Sequence, residues 1–431
     1  GSGEERTLTS LGPGYRYQPF WSPEGKQIAF INHAQEIQVY DAEAESVTTV
    51  DQGQWMTHGA LASFEVSWSP HGRWLAYSRG LDNQNDAVFL YDTQTDERHQ
   101  MTSNFYSTSE PTFGPAGKYL FVTTDRHFEP VYSEMDNSFV YPNATQIAAL
   151  PLRRDVSSPL APRNDTETGE EESESGGEQA GDSGTGEESS PIEIEREGFE
   201  QRMVLLPPDA GNYPRLAAAE GKVLYHRAPR AGSGDEAAPI VYYDLEKREE
   251  KTIVEDADAF RLSANGTKLL VRKANRLTVV DVAPDQKMDS RLPTGEMTMT
   301  LDPRAEWQQM FTEAWRLQRD YFYDPNMHGV DWDALRDRYG ALIDDAATRH
   351  DVNFVIGELI AELNASHTYR GGGDTETGEQ RAVGFLGVDW STNDGAYRIE
   401  HIVEGAPWTA DVRSPLRRPG VDVEEGDYGL A

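Results

Sequence analysis

Along the first 300 residues, short runs alternate apolar and polar positions with a period of two, and Pro/Gly turns separate them. The alternation itself repeats. Trp21-Ser22-Pro23-Glu24-Gly25-Lys26-Gln27-Ile28-Ala29-Phe30 recurs as Trp68-Ser69-Pro70-His71-Gly72-Arg73-Trp74-Leu75-Ala76-Tyr77 and again as Phe113-Gly114-Pro115-Ala116-Gly117-Lys118-Tyr119-Leu120-Phe121, at spacings of 47 and 45 residues. A weaker copy is Leu262-Ser263-Ala264-Asn265-Gly266-Thr267-Lys268-Leu269-Leu270. Each copy reads as an aromatic strand end, a turn whose glycine can take a positive φ, and a strand. A second strand type follows about twenty residues on. Its copies are Ile37-Gln38-Val39-Tyr40-Asp41, Val88-Phe89-Leu90-Tyr91-Asp92, Ile240-Val241-Tyr242-Tyr243-Asp244 and Leu277-Thr278-Val279-Val280-Asp281. The combination predicts four-stranded propeller blades.

Five blades fit between about Pro13 and Thr298, with Arg6 to Leu11 as the tail of an earlier one. A degenerate blade start lies at Tyr213 to Arg227, and the third blade is enlarged by an excursion from about Phe128 to Leu206. That excursion holds a Gly/Ser/Glu tract, about 160–190, too polar to offset its ordering entropy and expected to be disordered. The texture changes near Asp302. Trp307, Phe311, Trp315 and Phe322 fall at helical spacing, with Asp302 as N-cap and Pro303 opening the helix. Two further helices are predicted over Trp332 to Ala347 and Val352 to Leu363, the second capped by Asp351. From Ala382 the pattern returns to strands.

The fold class that follows is mainly β: an incomplete propeller of about five four-stranded blades, a small helical segment, and a short terminal β segment. The expected boundaries are 1–300, 301–373 and 380–431.

Charge narrows the function. The 431 residues carry 39 Lys+Arg against 74 Asp+Glu, a net of −35. Ten of those acids lie between Asn164 and Ser190, so the rest of the chain is strongly acidic too. A phosphate backbone is repelled by such a field, which argues against DNA or RNA as partner. With only 8 Lys, the surface fits a protein kept soluble at high salt. The absence of cysteine excludes disulfides, Cys-ligated zinc and a thiol nucleophile. No apolar run reaches the 18 residues of a membrane-spanning helix, so none is expected, and the first residues, Gly1 to Leu8, are polar and charged with no visible signal peptide.

Ser366-His367 is the sharpest chemical candidate, at the junction of a helix and the glycine run Gly371 to Gly373. A histidine there can serve as a general base near neutral pH, with a hydroxyl to orient its ring. Adjacent side chains diverge, so any nucleophile for His367 has to come from elsewhere. On bare sequence, an ordinary Ser-His dipeptide is the commoner explanation. Gly371 to Gly373 reads as a hinge, since no phosphate-binding Lys-Ser/Thr follows. Asp82 to Asp86 has oxygen ligands at alternate positions, but Ala87 stands where a calcium loop needs glycine, so a blade turn fits better. His328 and Asp331 read as helix caps, and the scattered histidines give no metal site. Gly384-Phe385-Leu386-Gly387 is similar to the PDZ loop that holds a peptide's terminal carboxylate, although a plain turn explains it equally well.

Together these stretches resemble the tricorn protease family. Ala314 to Trp332 (Ala-Trp-Arg-Leu-x-Arg-Asp-Tyr-Phe-Tyr-Asp-Pro-Asn-Met-His-Gly-Val-Asp-Trp) resembles the start of its first core subdomain, and Ile356 to Tyr369 resembles its end. The blades are similar to its second, seven-bladed propeller, and the chain from Ala382 to its PDZ-like subdomain. The resemblance implies a cytoplasmic serine peptidase that acts on oligopeptides, without cofactor, as a toroidal hexamer. It further implies that His367 is the general base and Ser366 helps orient it, while the nucleophilic Ser and a Glu belong to a second core subdomain absent from this sequence. Part of the second propeller is absent too. The sequence therefore reads as a fragment that supplies the base without the nucleophile. The alternative is a non-catalytic propeller–PDZ scaffold that binds peptides or proteins.

Overall fold

The computed structural model describes residues 5–54, 60–163, 192–375, 381–406, 408 and 413–429. The disorder expected of the acidic tract falls, from residue 164 onward, outside the described residues. The chain divides into two compact units, one of residues 1–301 with 316–323, the other of 302–315 with 324–431.

Among the described residues the first unit holds five antiparallel sheets of three or four strands, besides one two-stranded hairpin. The first holds Arg16–Trp21, Gln27–Asn32, Glu36–Asp41 and Ser46–Gln52 in chain order. The second holds Val66–Trp68, Trp74–Gly80, Asp86–Asp92 and Glu97–Gln100, and the third Thr108–Phe113, Tyr119–Thr124, Gln146–Pro151 and Val204–Leu205. The fourth holds Asn212–Ala219, Lys222–Ala228, Ile240–Asp244 and Glu249–Val254. The fifth departs from the expected four strands, pairing only Ala259–Leu262, Lys268–Lys273 and Arg276–Asp281. Residues 288–292 run beside its last strand through isolated bonds: Arg276 Nη1 donates to Met288 O (2.9 Å), Thr278 Oγ1 to Ser290 O (2.7 Å) and Leu292 N to Leu277 O (2.9 Å).

The repeated turn has a physical cause. In three copies the serine N–H donates across the turn (Ser22 to Gln27 O at 2.8 Å, Ser69 to Trp74 O at 2.8 Å, Ser263 to Lys268 O at 2.9 Å). The same serine's Oγ accepts the returning N–H, from Gln27 at 3.0 Å, Trp74 at 3.0 Å and Lys268 at 3.0 Å. Gly25, Gly72, Gly117 and Gly266 sit at φ of 69°, 69°, 63° and 70°, the left-handed region that disfavours a Cβ. The aspartate closing the second strand type is equally local: Asp41 Oδ1 accepts from Glu43 N and Ala44 N, and Asp244 Oδ1 from Glu246 N and Lys247 N.

The central strands are not half-buried. Leu75 and Tyr77 pack with Ala29, Ile31 and Val39 of the first sheet, whereas Trp74 and Ala76 pack with Leu120, Val122 and Leu150 of the third. Both faces are covered, so apolar residues run on without alternation. The third sheet's excursion is likewise split in two, because Gln146–Pro151 returns as its third strand. One part carries the hairpin Val131–Ser133 with Ser138–Val140. The other brings Ile192 and Phe199 into the core between second and third sheets, with Trp74 Nε1 donating to Ile192 O at 3.1 Å.

The first strands of the first and third sheets also bulge before a proline, with φ of 53° at Gln18 and 52° at Glu110. Half-buried Glu110 has its carboxyl pushed up to about 7 by desolvation, against the pull of Arg215 and with the push of Glu65. Glu65 is itself held by Arg215 (2.8 Å) and Arg261 (3.0 Å).

Three long helices follow: α1 (Pro303–Tyr321), α2 (Trp332–Ile343) and α3 (Arg349–Ala361). Asp302 Oδ1 accepts from Arg304 N at 3.0 Å, as an N-cap does. In the second unit the indoles of Trp315 and Trp332 exchange bonds, each Nε1 donating to the other residue's carbonyl (2.8 and 3.1 Å). Helix α2 ends at Ile343, short of the expected Ala347. Helix α3 starts earlier than expected, since its N-cap is Thr348; Asp351 is the third helical residue and completes a capping box by accepting from Thr348 N. The unit closes on a sheet of Val388–Asn393, Ala396–Ile402 and Tyr428–Gly429.

Candidate functional site

Helix α3 buries Val352, Val355, Ile356, Leu359 and Ile360, which fixes its rotation and the direction in which its C-terminus leaves. Asn364 ends the helix at φ 46°, its N–H donating to Ala361 O at 2.9 Å. Fully buried Leu363 offers its carbonyl to His328 Nδ1 at 2.7 Å. A carbonyl only accepts, so His328 carries its proton on Nδ1 and caps the end of α3. Asp331 caps the start of α2 by accepting from Ala334 N at 3.0 Å.

Beyond this anchor, Thr368 Oγ1 donates to Ala365 O at 3.1 Å and closes a turn around Ser366 and His367. His367 takes φ 61°, and its ring is exposed. Its Nδ1 lies 3.0 Å from Tyr369 Oη, with the rings 6.1 Å apart and nearly perpendicular (76°). Tyr369 was not foreseen from sequence; its approach depends on the left-handed backbone at His367, which no local pattern marks. Ser366 is exposed and, with Thr368 and Arg370, lines an open depression of about 370 Å³.

The other candidates lie elsewhere. Gly372 and Gly373 have φ of 79° and 88°, and a Cβ on Gly373 would stand 2.6 Å from Arg349 Nη2. Asn353 Nδ2 donates to Gly372 O at 3.1 Å, so this run is packed against α3. In the Asp82–Asp86 turn, Asn83 and Asn85 both donate to Asn104 O, at 2.7 and 3.0 Å, tying this turn to the segment that joins the second and third sheets. Gly384, Phe385, Leu386 and Gly387 precede Val388–Asn393, the outer strand of the terminal sheet. Phe385 is 85% exposed, and Ser414 Oγ donates to Leu386 O at 2.6 Å. At Gly387 (φ 63°) a Cβ would meet Ser414 Cα at 3.2 Å, so a side chain here would be both strained and crowded.

The family profile of the tricorn protease second beta propeller domain matches residues 1–283. The chain belongs to the tricorn protease family. The profile of the tricorn protease C1 domain matches residues 303–361, ending six residues before His367, and that of the tricorn protease PDZ domain matches 384–431. Tricorn protease homolog 1 of Streptomyces coelicolor is 30% identical over 95% of this chain and 39% of its own length. A putative Tricorn-like protease C-terminal subunit of Sulfurisphaera tokodaii is 26% identical over 94% of this chain and 46% of its own length. The crystal structure of the tricorn protease superposes with a TM-score of 0.76 at 20% identity, over 96% of this chain and 39% of that one, which establishes a shared fold. The chain thus spans 39% to 46% of the length of these relatives. Among the described residues, no helix is long and apolar enough to cross a membrane.

Proposed function

We propose that this chain is part of a serine peptidase acting on oligopeptides, in which His367 is the general base and Ser366 helps orient it. The observation that carries this reading is the exposed His367 ring on a turn anchored to α3, with Nδ1 beside a hydroxyl and an open depression adjoining. Nε2 then takes the proton of a serine hydroxyl as that oxygen bonds to the scissile carbonyl carbon. The proton passes to the departing amine, and water hydrolyses the acyl-enzyme by the same relay. The serine and its Glu partner come, on this reading, from the second core subdomain, so these 431 residues alone do not turn over peptide.

The partial propeller is assigned to 1–300, the first core subdomain to 301–373 and the PDZ-like part to 380–431. Family resemblance supports hexameric assembly in the cytoplasm, and the acidic, Lys-poor composition supports a high-salt setting. His367→Ala in the enzyme carrying both core subdomains is expected to lower kcat/KM for peptides by about 10² to 10⁴. Undiminished turnover rejects the role. A second reading, a peptide-binding scaffold, is favoured by exposed Phe385 beside an outer strand; it predicts peptide capture without cleavage in the same enzyme.

A further inference from the structure

Tyr243 stands in the third strand of the fourth sheet, 1% exposed, in the core that also holds Phe121, Ile147 and Tyr225. Its Oη is buried and meets no hydrogen-bond partner among the described residues. The same holds for Arg248 Nε, at the end of the following turn, where the backbone takes φ 56° and Arg248 N donates to Asp244 O at 2.8 Å. A buried O–H or N–H that makes no bond keeps its full desolvation cost, so two of them on one hairpin call for an acceptor.

The surroundings decide what kind of acceptor fits. Burial pushes the Tyr243 phenol above its ordinary value while Arg248 and Arg163 pull it down, so both guanidiniums lie near enough to act on it. The phenol therefore keeps its proton and can donate, and an arginine only donates. The carboxylates that act on the same phenol are engaged elsewhere. Glu250 accepts from Tyr225 Oη and Arg227 Nη2, and Asp244 Oδ1 caps its own turn through Glu246 N and Lys247 N. Among the described residues neither Arg248 nor Arg163 forms an ion pair, although acidic residues outnumber basic ones by 74 to 39. The segment leaving the third sheet is fastened at this place: Arg248 Nη2 donates to Ala161 O, and Tyr119 Oη to Ser157 O at 2.6 Å.

We propose that Tyr243 Oη and Arg248 Nε, with the Arg163 guanidinium beside them, bind a chloride ion that joins the fourth sheet to residues 157–163. Two arginines make a negative acceptor better than water, because neither is neutralised by a carboxylate. Size and charge favour a monovalent ion. A divalent oxyanion brings several oxygens to two buried donors, and a net charge of −35 repels it twice as strongly. The site lies within the propeller unit and is independent of the peptidase reading. Its consequence is thermodynamic: an ion held by the folded state alone stabilises that state as its concentration rises.

The test is thermal unfolding of this chain in sodium chloride and in sodium gluconate at equal ionic strength, gluconate being too large for two buried donors. The salts also differ in their general effect on stability, so the quantity read is the gap in melting temperature between wild type and Tyr243→Phe in each. Phenylalanine keeps the ring and deletes the hydroxyl. In gluconate the variant is expected to equal or exceed the wild type. In chloride, at about ten times the dissociation constant, the gap is expected to move by about 2–4 °C in favour of the wild type. Arg163→Gln, at an exposed position, is expected to require more chloride for the same gain. A gap identical in the two salts means that water serves these donors and overturns the proposal. Wild-type crystals grown in bromide supply a second measurement. Anomalous scattering beside Tyr243 Oη and Arg248 Nε is expected, and its absence overturns the proposal even where Tyr243→Phe does not fold.

Discussion

In the propeller sheets one small set of bonds recurs at three turns: Ser22, Ser69 and Ser263 donate across the turn, accept back through Oγ, and leave the left-handed position to a glycine. In the helical module the core closes around one reciprocal pair, the indoles of Trp315 and Trp332, both nearly buried, with the Arg336 guanidinium 4.9 Å from the Trp315 ring centre. The first arrangement spreads stability over many equivalent local devices. The second places a single unrepeated pair within a core that also buries Phe311, Ile343, Leu359 and Leu363. Damage to one propeller turn should therefore be cheap and damage to the indole pair costly.

The sharpest way to break the comparison is Trp332→Ala. Losing a buried indole together with its bond to Trp315 O is expected to cost about 3–5 kcal/mol and to unfold the helical module first. Urea titration followed by tryptophan fluorescence and far-ultraviolet circular dichroism should show an earlier transition for the helices and an unmoved one for the sheets. A single coincident transition shifted as a whole would show instead that the two units unfold together.

Glu110 tests whether the propeller has a concentrated element of its own. In the unfolded chain its carboxyl titrates near the ordinary value of 4.5, whereas in the fold desolvation pushes it up to about 7. The folded state thus binds the proton more tightly, and the stability this contributes is full below about pH 4.5 and lost as pH rises through about 7. For a half-buried group the loss is about 1–2 kcal/mol. Glu110→Gln keeps a neutral side chain throughout, so it should match the wild type near pH 4.5 and exceed it by about that amount at pH 8. A wild-type-minus-variant difference that stays constant with pH would remove the argument.

What could be read from the sequence follows the range of the interactions. The Ser-Pro-x-Gly turns were legible because every bond they make closes within five residues, so the pattern contains its own explanation. Ile192 was not, because its carbonyl meets Trp74 across 118 positions, and its place in the core is set by two sheets together. The start of α3 was misplaced by three residues since Thr348 and Asp351 form one capping box, and either end of it is a plausible cap. At the candidate site, Ser366 and His367 could be named from the chain, whereas Tyr369 depended on a left-handed φ, and Arg370 on a contact with one helical glycine. Neither leaves a sequence signal.

Within the propeller the copies can be set against one another. Gly72→Ala puts a methyl at φ 69°, for an expected cost of about 1–2 kcal/mol in the second sheet's transition.

The smallest expected effect is also the most discriminating. Ser69→Ala removes an Oγ that is buried and accepts Trp74 N at 3.0 Å, for a loss of about 1 kcal/mol by thermal unfolding. In the third copy the equivalent residue is Gly114, which keeps the backbone bond to Tyr119 O at 2.9 Å but has no hydroxyl. There a Cβ would stand 3.2 Å from the Phe121 ring, so an aromatic group occupies the space the serine uses elsewhere. Gly114→Ser therefore adds the repeat's own bonding group and is still expected to destabilise, by about 1 kcal/mol or more, through overpacking. A gain in melting temperature for Gly114→Ser would mean that the ring gives way and that the local hydrogen bond, rather than packing between sheets, governs every turn of the propeller.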